Sequence, residues 1–342
     1  MKLAGIRYPL TLFLLSLIGG AVWLLWSGRQ SAPAEPPVQP VFAMRENVLQ
    51  PILPLEPIAN LDPLRVALGE KLFHDARLSG DFSVTCASCH DLGKGGVDGR
   101  RFSVGIGGAI GGINAPTVFN SGYSLAQFWN GRAATLEEQA AGPIQNPIEM
   151  GATLPQVLAR LEEDAALKKE FKRAYVNGLT IENVLNAIAT FERSLVTLNS
   201  RFDRYLFGET SVLTPLEIEG YRRFRELGCT SCHQGALVGG NMYQKFGVLG
   251  DYFAGRETTK DDLGRFSVTQ REEDRHVFKV PSLRNVAQTA PYFHDGSADT
   301  LAQAVTVMAR YQLGRDLSHG DVEAIVAFLK TLTGDLPAVG SP

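Results

Sequence analysis

Cys86-Ala87-Ser88-Cys89-His90 and Cys229-Thr230-Ser231-Cys232-His233 each place two thiols three positions apart with a histidine directly after them. That spacing suits two thioether bonds to a porphyrin and one axial iron ligand, because a short loop can turn both sulfurs and the imidazole toward the same ring. The chain is therefore read as carrying two covalently bound haem c groups, with Cys86, Cys89, Cys229 and Cys232 as attachment points and His90 and His233 as iron ligands. A zinc ribbon would bring its cysteine pairs within about 15 to 20 residues of each other. These pairs begin at positions 86 and 229, and a redox dithiol would not need the histidines. All 4 cysteines are consumed, which leaves none for a structural disulfide.

The elements that must hold these two sites are helical. Asp62-Pro63 reads as an N-cap followed by proline at the first helical position, and Leu64, Ala67, Leu68, Lys71 and Leu72 continue one face. The first haem motif follows, then a glycine-rich loop from Gly105 to Gly112 that can pass close to a flat cofactor. Thr180 caps a helix through Ile181, Val184, Leu185, Ile188, Phe191 and Leu195. The second half repeats the plan: Thr214-Pro215 opens a helix through Leu216, Ile218, Tyr221 and Phe224, and the second haem motif follows. Val322, Ile325, Val326, Leu329 and Leu332 form the late amphipathic helix. Ile181 follows Cys86 at nearly the distance at which Val322 follows Cys229, so the halves look like diverged copies of one haem domain. The expected fold is mainly α, two cytochrome c-like haem domains packed across a seam, with the first spanning 58–199 and the second 200–335.

With 342 residues and 44% hydrophobic content, the chain can fill two cores. A net charge of −3 without any extended basic cluster excludes nucleic acid as a natural partner. Leu10 to Trp26 is an uncharged, mostly apolar run preceded by Lys2 and Arg7, so residues 1–30 read as a transmembrane anchor or a signal segment. Trp26 is a poor neighbour for a cleavage site, which favours the anchor, and either outcome exports the rest of the chain to the periplasmic side of an inner membrane. Residues 31–57, rich in proline, read as an extended tether.

The chain also resembles the bacterial di-haem cytochrome c peroxidase family, which includes the MauG-like enzymes. The likeness is carried by Gly95-Gly96-Val97-Asp98-Gly99, Phe128-Trp129-Asn130-Gly131-Arg132, Gly142-Pro143-Ile144-Gln145, Pro281-Ser282-Leu283-Arg284-Asn285 and Pro291-Tyr292-Phe293-His294-Asp295-Gly296. The resemblance implies reduction of hydrogen peroxide to water at the N-terminal haem, with electrons from a small cytochrome c or a cupredoxin entering at the C-terminal haem. It implies Met308 as the sixth ligand of the second haem, Glu149 as distal acid-base group and Gln139 as a distal amide. It implies Trp129 as an electron path between the haems and a calcium site built from Asn114 with the carbonyls of Thr289 and Pro291. A homodimer is left open.

One departure matters. Many family members carry a haem-blocking histidine in the glycine-rich loop, where this chain has Ile106. An aliphatic side chain cannot coordinate iron, so the first haem is expected to have an open face before any reduction. Two other functions compete with peroxidase action: a MauG-like oxidase acting on a protein or organic substrate, and a non-catalytic electron carrier. Met308 argues against the first, because such oxidases tend to have tyrosine on the second haem. The lack of a convincing sixth ligand in the first half, beyond Met150, argues against the second. His74 and His319 are expected in solvated turns, His276 in a structural role, and His294 in hydrogen bonds near the second haem or the seam.

Overall fold

A computed structural model describes residues 50–337. The anchor or signal segment and most of the tether lie outside the described residues. Among those described, no helix is long and apolar enough to cross a membrane.

The chain is mainly helical, and its two halves repeat one packing event. In the first half, α1 (Pro63–Phe73) is capped by Asp62, which accepts from Leu64 N at 2.9 Å. The helices α2 (Leu136–Gln145), α3 (Leu154–Glu162) and α4 (Ala165–Ala174) lead to α5 (Ile181–Ser194), capped by Thr180. A short helix, α6 (Arg201–Leu206), joins the halves, and α7 (Pro215–Glu226) opens the second with a Thr214/Glu217 capping box. That half closes with α8 (Leu301–Leu313) and α9 (His319–Lys330). Where α1 crosses α5, a Cβ on Gly69 would lie 2.0 Å from Ala187 O; where α7 crosses α9, a Cβ on Gly220 would lie 1.9 Å from Ala324 O. The close approach requires glycine at both crossings, and each is sealed one turn later by an aromatic pair: Phe73 against Phe191 at 5.3 Å and Phe224 against Phe328 at 5.2 Å.

A second repeated unit forms the seam. Residues 114–135 and 279–300 correspond position by position, Asn114 to Lys279 and Trp129 to His294. Asn120 and Asn285 both take the left-handed conformation, φ 62° and 59°, and both side-chain amides donate to Thr197 Oγ1 at 2.9 Å. Phe128 and Phe293 follow with φ 67° and 72°, and Thr135 and Thr300 cap α2 and α8. The two units grip each other reciprocally: Asn114 N donates to His294 O and Lys279 N donates to Trp129 O, each at 2.8 Å.

The tether expectation fails at its end. Ile52 is fully buried, Leu55 is 4% exposed, and Gly235 N donates to Pro51 O at 2.8 Å, so residues 50–57 pack onto the second half. Apolar burial outweighs the freedom implied by the prolines there. Arg284 fixes this arrangement from within. Its guanidinium donates to Asp203 Oδ2 at 2.7 Å, Ala236 O at 2.8 Å and Leu53 O at 2.9 Å, with pair exposures of 0% and 2%. Arg284→Met should leave Asp203 buried without its counter-charge and lower stability in denaturant titrations by about 3–5 kcal/mol. Arg284→Met with Asp203→Leu should recover most of that loss, whereas a single-variant loss below about 1 kcal/mol would show that the pair does not hold the junction.

Candidate active site

The first thiol pair sits on a four-residue helical turn, Cys86–Cys89, with His90 at its end. His90 Nδ1 faces Gly96 O at 3.2 Å. A carbonyl can only accept, so Nδ1 carries the proton and Nε2 keeps its lone pair. Burial holds this imidazole below its ordinary pKa and keeps it neutral. The second motif forms a 3-10 turn, Cys229–Ser231, and repeats the device: His233 Nδ1 faces Val238 O at 3.1 Å, and burial lowers the ring to about 4. All four thiols are free, and burial pushes Cys86 up to about 12 and Cys229 to about 11. Free thiols beside a neutral imidazole with an available Nε2 are the donor set that covalent haem attachment and axial ligation require.

His233, Cys229 and Cys232 line a cavity of about 280 Å³ together with Met308, Leu301 and Val305. Met308 lies on α8, eight positions beyond its cap Thr300. The corresponding position on α2, eight beyond Thr135, is Pro143, whose ring offers iron no donor. The same cavity reaches the seam at Trp129, Asn114, Thr289 and Pro291. The Trp129 indole N–H donates to Asn114 O at 2.8 Å, and the Asn114 side-chain N–H groups are taken by Arg100 O and Arg101 O. Asn114, Thr289 and Pro291 thus line one cavity, with both Asn114 side-chain N–H groups already engaged.

Above the first motif lies a different set. Ile106 N donates to Glu149 O at 2.8 Å, and Gly105 passes so close that a Cβ there would lie 2.1 Å from Ile148 O. The glycine-rich loop is thus fastened to the Glu149 turn, with the Ile106 side chain against Gly80 and Gly151. Asn146 Nδ2 donates to Glu149 Oε1 at 2.7 Å. Burial nevertheless raises the Glu149 carboxyl, against the pull of Asn146 and the Arg132 charge. Gln139 lies half-buried on α2. Met150 is 4% exposed within the apolar core that α1, α3 and α5 share, away from ligand duty.

Residues 63–211 match the family model described as di-haem cytochrome c peroxidase. The chain is 45% identical over 336 residues to cytochrome c551 peroxidase of Nitrosomonas europaea, covering 97% of this chain and 93% of that protein. The chain belongs to the di-haem cytochrome c peroxidase family. It is 48% identical over 286 residues to cytochrome c peroxidase Ccp of Escherichia coli, an alignment covering 83% of this chain and 61% of the longer relative. A crystal structure of a MauG-like protein associated with microbial copper homeostasis superposes with TM-score 0.73 at 28% identity, covering 85% of this chain and 95% of that one. Membership makes the protein an oxidoreductase of the cytochrome-c peroxidase class and implies two haem c groups, for which the two C-x-x-C-H turns are the fitting donors.

Several contacts at these sites are visible only in the folded chain. Arg132 stacks on Phe128 at 3.3 Å and biases Glu149 electrostatically. His294 is 2% exposed, and its Nε2 meets Asp262 Oδ1 at 2.8 Å; Arg256 bridges Asp262 and Asp295, which makes that cluster an ion-pair network rather than a cation site. His276 stacks on Phe253 at 3.9 Å, while His74 and His319 are exposed, His319 on the first turn of α9 rather than in a loop. Glu192, 6% exposed and close enough to raise Cys86 further, has one carboxylate oxygen without a partner among the described residues. Burial pushes its carboxyl up to about 8. The folded chain therefore keeps a proton that the unfolded chain sheds above about pH 4.5, and stability should fall as pH rises from there to about 8. Glu192→Gln should match the parent near pH 5 and exceed it by a few kcal/mol at pH 8 in urea unfolding. A difference that stays constant across that window would refute the buried proton.

Proposed function

We propose that this protein reduces hydrogen peroxide to water at the first haem site, with electrons arriving singly at the second from a small cytochrome c or a cupredoxin. The observation that carries the reading is the inequality inside the repeat: Met308 lines the His233 cavity, whereas the matching helix position in the first half is Pro143, and the glycine-rich loop carries Ile106, neither of which can ligate iron. A histidine–methionine pair favours the reduced iron and suits electron storage; an open face suits peroxide.

When bound, the haems supply iron that peroxide oxidises and the donor re-reduces. The chain supplies positioning and protons. Glu149, with its carboxyl raised by burial, takes a proton from the peroxide oxygen nearer the metal and returns it to the leaving oxygen. Asn146 holds the carboxylate in place, and the Gln139 amide offers a hydrogen bond to the bound substrate. Each turnover takes up two electrons and two protons and releases two waters. Trp129 is the proposed electron path across the seam, supported by its fixed position, pinned at its indole N–H and its carbonyl. Asn114 with the Thr289 and Pro291 carbonyls is the place for a calcium ion that ties the halves together. The N-terminal segment places this chemistry on the periplasmic side of the inner membrane.

Similarity to a MauG-like structure and the absence of a loop histidine favour, as second reading, oxidation of a protein or organic substrate by way of Trp129. Turnover of peroxide with a reduced small cytochrome c separates the two. The peroxidase reading expects steady consumption of two donor equivalents per peroxide and a fall of about 10²–10⁴-fold in Glu149→Gln. Absence of consumption would defeat it, and unchanged turnover in Glu149→Gln would remove the acid-base assignment.

A further inference from the structure

Lys279 ends β2 (Val277–Lys279), which pairs antiparallel with β1 (Tyr243–Lys245). Its amide donates to Trp129 O at 2.8 Å, so its main chain is fixed to the tryptophan at the seam. Its side chain is half-buried and lines the cavity that also holds His233, Met308 and Trp129. Among the described residues it makes no side-chain hydrogen bond or ion pair, and burial, unopposed by any carboxylate, lowers its ammonium to about 8. The contrast with its counterpart is informative. Asn114 occupies the corresponding place in the first half, and its side-chain N–H groups are taken by the Arg100 and Arg101 carbonyls. The repeat thus carries a neutral side chain with its donors met in one copy and an unanswered cation in the other.

A cation held at the wall of an apolar cavity calls for an anion that occupies the cavity. Haem c, which the two C-x-x-C-H motifs imply, brings two propionate carboxylates on one porphyrin edge. We propose that Lys279 is a positioning residue whose ammonium takes a haem propionate at the seam and holds that porphyrin edge beside Trp129. The inference rests on the two-haem reading given above. It makes one residue responsible for both contacts of the crossing point, its amide on the tryptophan and its ammonium on the cofactor.

Removing a positive charge near a haem favours the ferric form. Spectroelectrochemical titration of the full-length holoprotein, with both haems verified by intact mass, reads this directly. Lys279→Met should shift the ferric/ferrous balance of one haem about tenfold toward ferric, a fall of about 59 mV for one electron. Lys279→Gln should do the same, and Lys279→Arg should stay near the parent. Movement of the methionine-ligated haem assigns the carboxylate to the second porphyrin; movement of the other assigns it to the first. Unchanged potentials for both haems in Lys279→Met and Lys279→Gln would overturn the proposal, as would an equal shift in Lys279→Arg. A parent protein with fewer than two attached haems would instead overturn the two-haem reading itself.

Discussion

Each of the two imidazoles is held at Nδ1 by a backbone carbonyl, His90 by Gly96 and His233 by Val238, and the rest of the architecture serves that hydrogen bond. It fixes the tautomer and directs Nε2 away from the protein backbone. Each carbonyl sits beside an apolar cluster that the helix crossings at Gly69 and Gly220 seal: Val238 packs with Phe224 and Phe328, and Gly96 O also accepts from Val118 N, next to Phe119 in the cluster of Phe73 and Phe191. Local geometry at the metal ligand and long-range helix packing are therefore one constraint. The buried Arg284–Asp203 pair extends it to the segment at residues 50–57, which closes the second half from outside.

Within this symmetry, function arises from the places where the copies differ. Met308 and Pro143 occupy equal positions on α8 and α2, and Lys279 and Asn114 occupy equal positions at the seam. Trp129 faces His294 edge-on at 6.3 Å across the same pseudo-two-fold relation. One copy thus gains a thioether and an uncompensated cation, the other a polarizable indole and a carboxyl whose proton affinity burial has raised. Duplication supplies two equivalent scaffolds, and the proposed separation of electron storage from oxygen chemistry rests on the few positions at which they differ.

Much of this was legible from the chain. The caps Asp62, Thr180 and Thr214 begin helices where expected, because each couples a hydrogen-bonding side chain to an apolar period that only a helix satisfies. The haem motifs announce themselves for a similar reason, since their chemistry depends on local spacing. What escaped depends on how the chain folds around each residue. Burial of Ile52 and Leu55, in a stretch whose prolines suggest a free tether, depends on a surface more than a hundred residues away. The hold of Asn146 on Glu149, the stacking of Arg132 on Phe128, and the isolation of Lys279 and Glu192 from any counter-charge are likewise properties of the folded neighbourhood, and no residue type or spacing encodes them.

The central claim is that the two metal sites differ in ligand number before any electron arrives. Electron paramagnetic resonance of the fully oxidised holoprotein tests it most directly. The account expects a high-spin ferric signal from the first haem together with a low-spin signal from the His233–Met308 site, and Met308→Leu should convert the second signal to high spin while leaving the first unchanged. Two low-spin signals in the oxidised parent protein would show that some other side chain closes the first face, and would contradict the account.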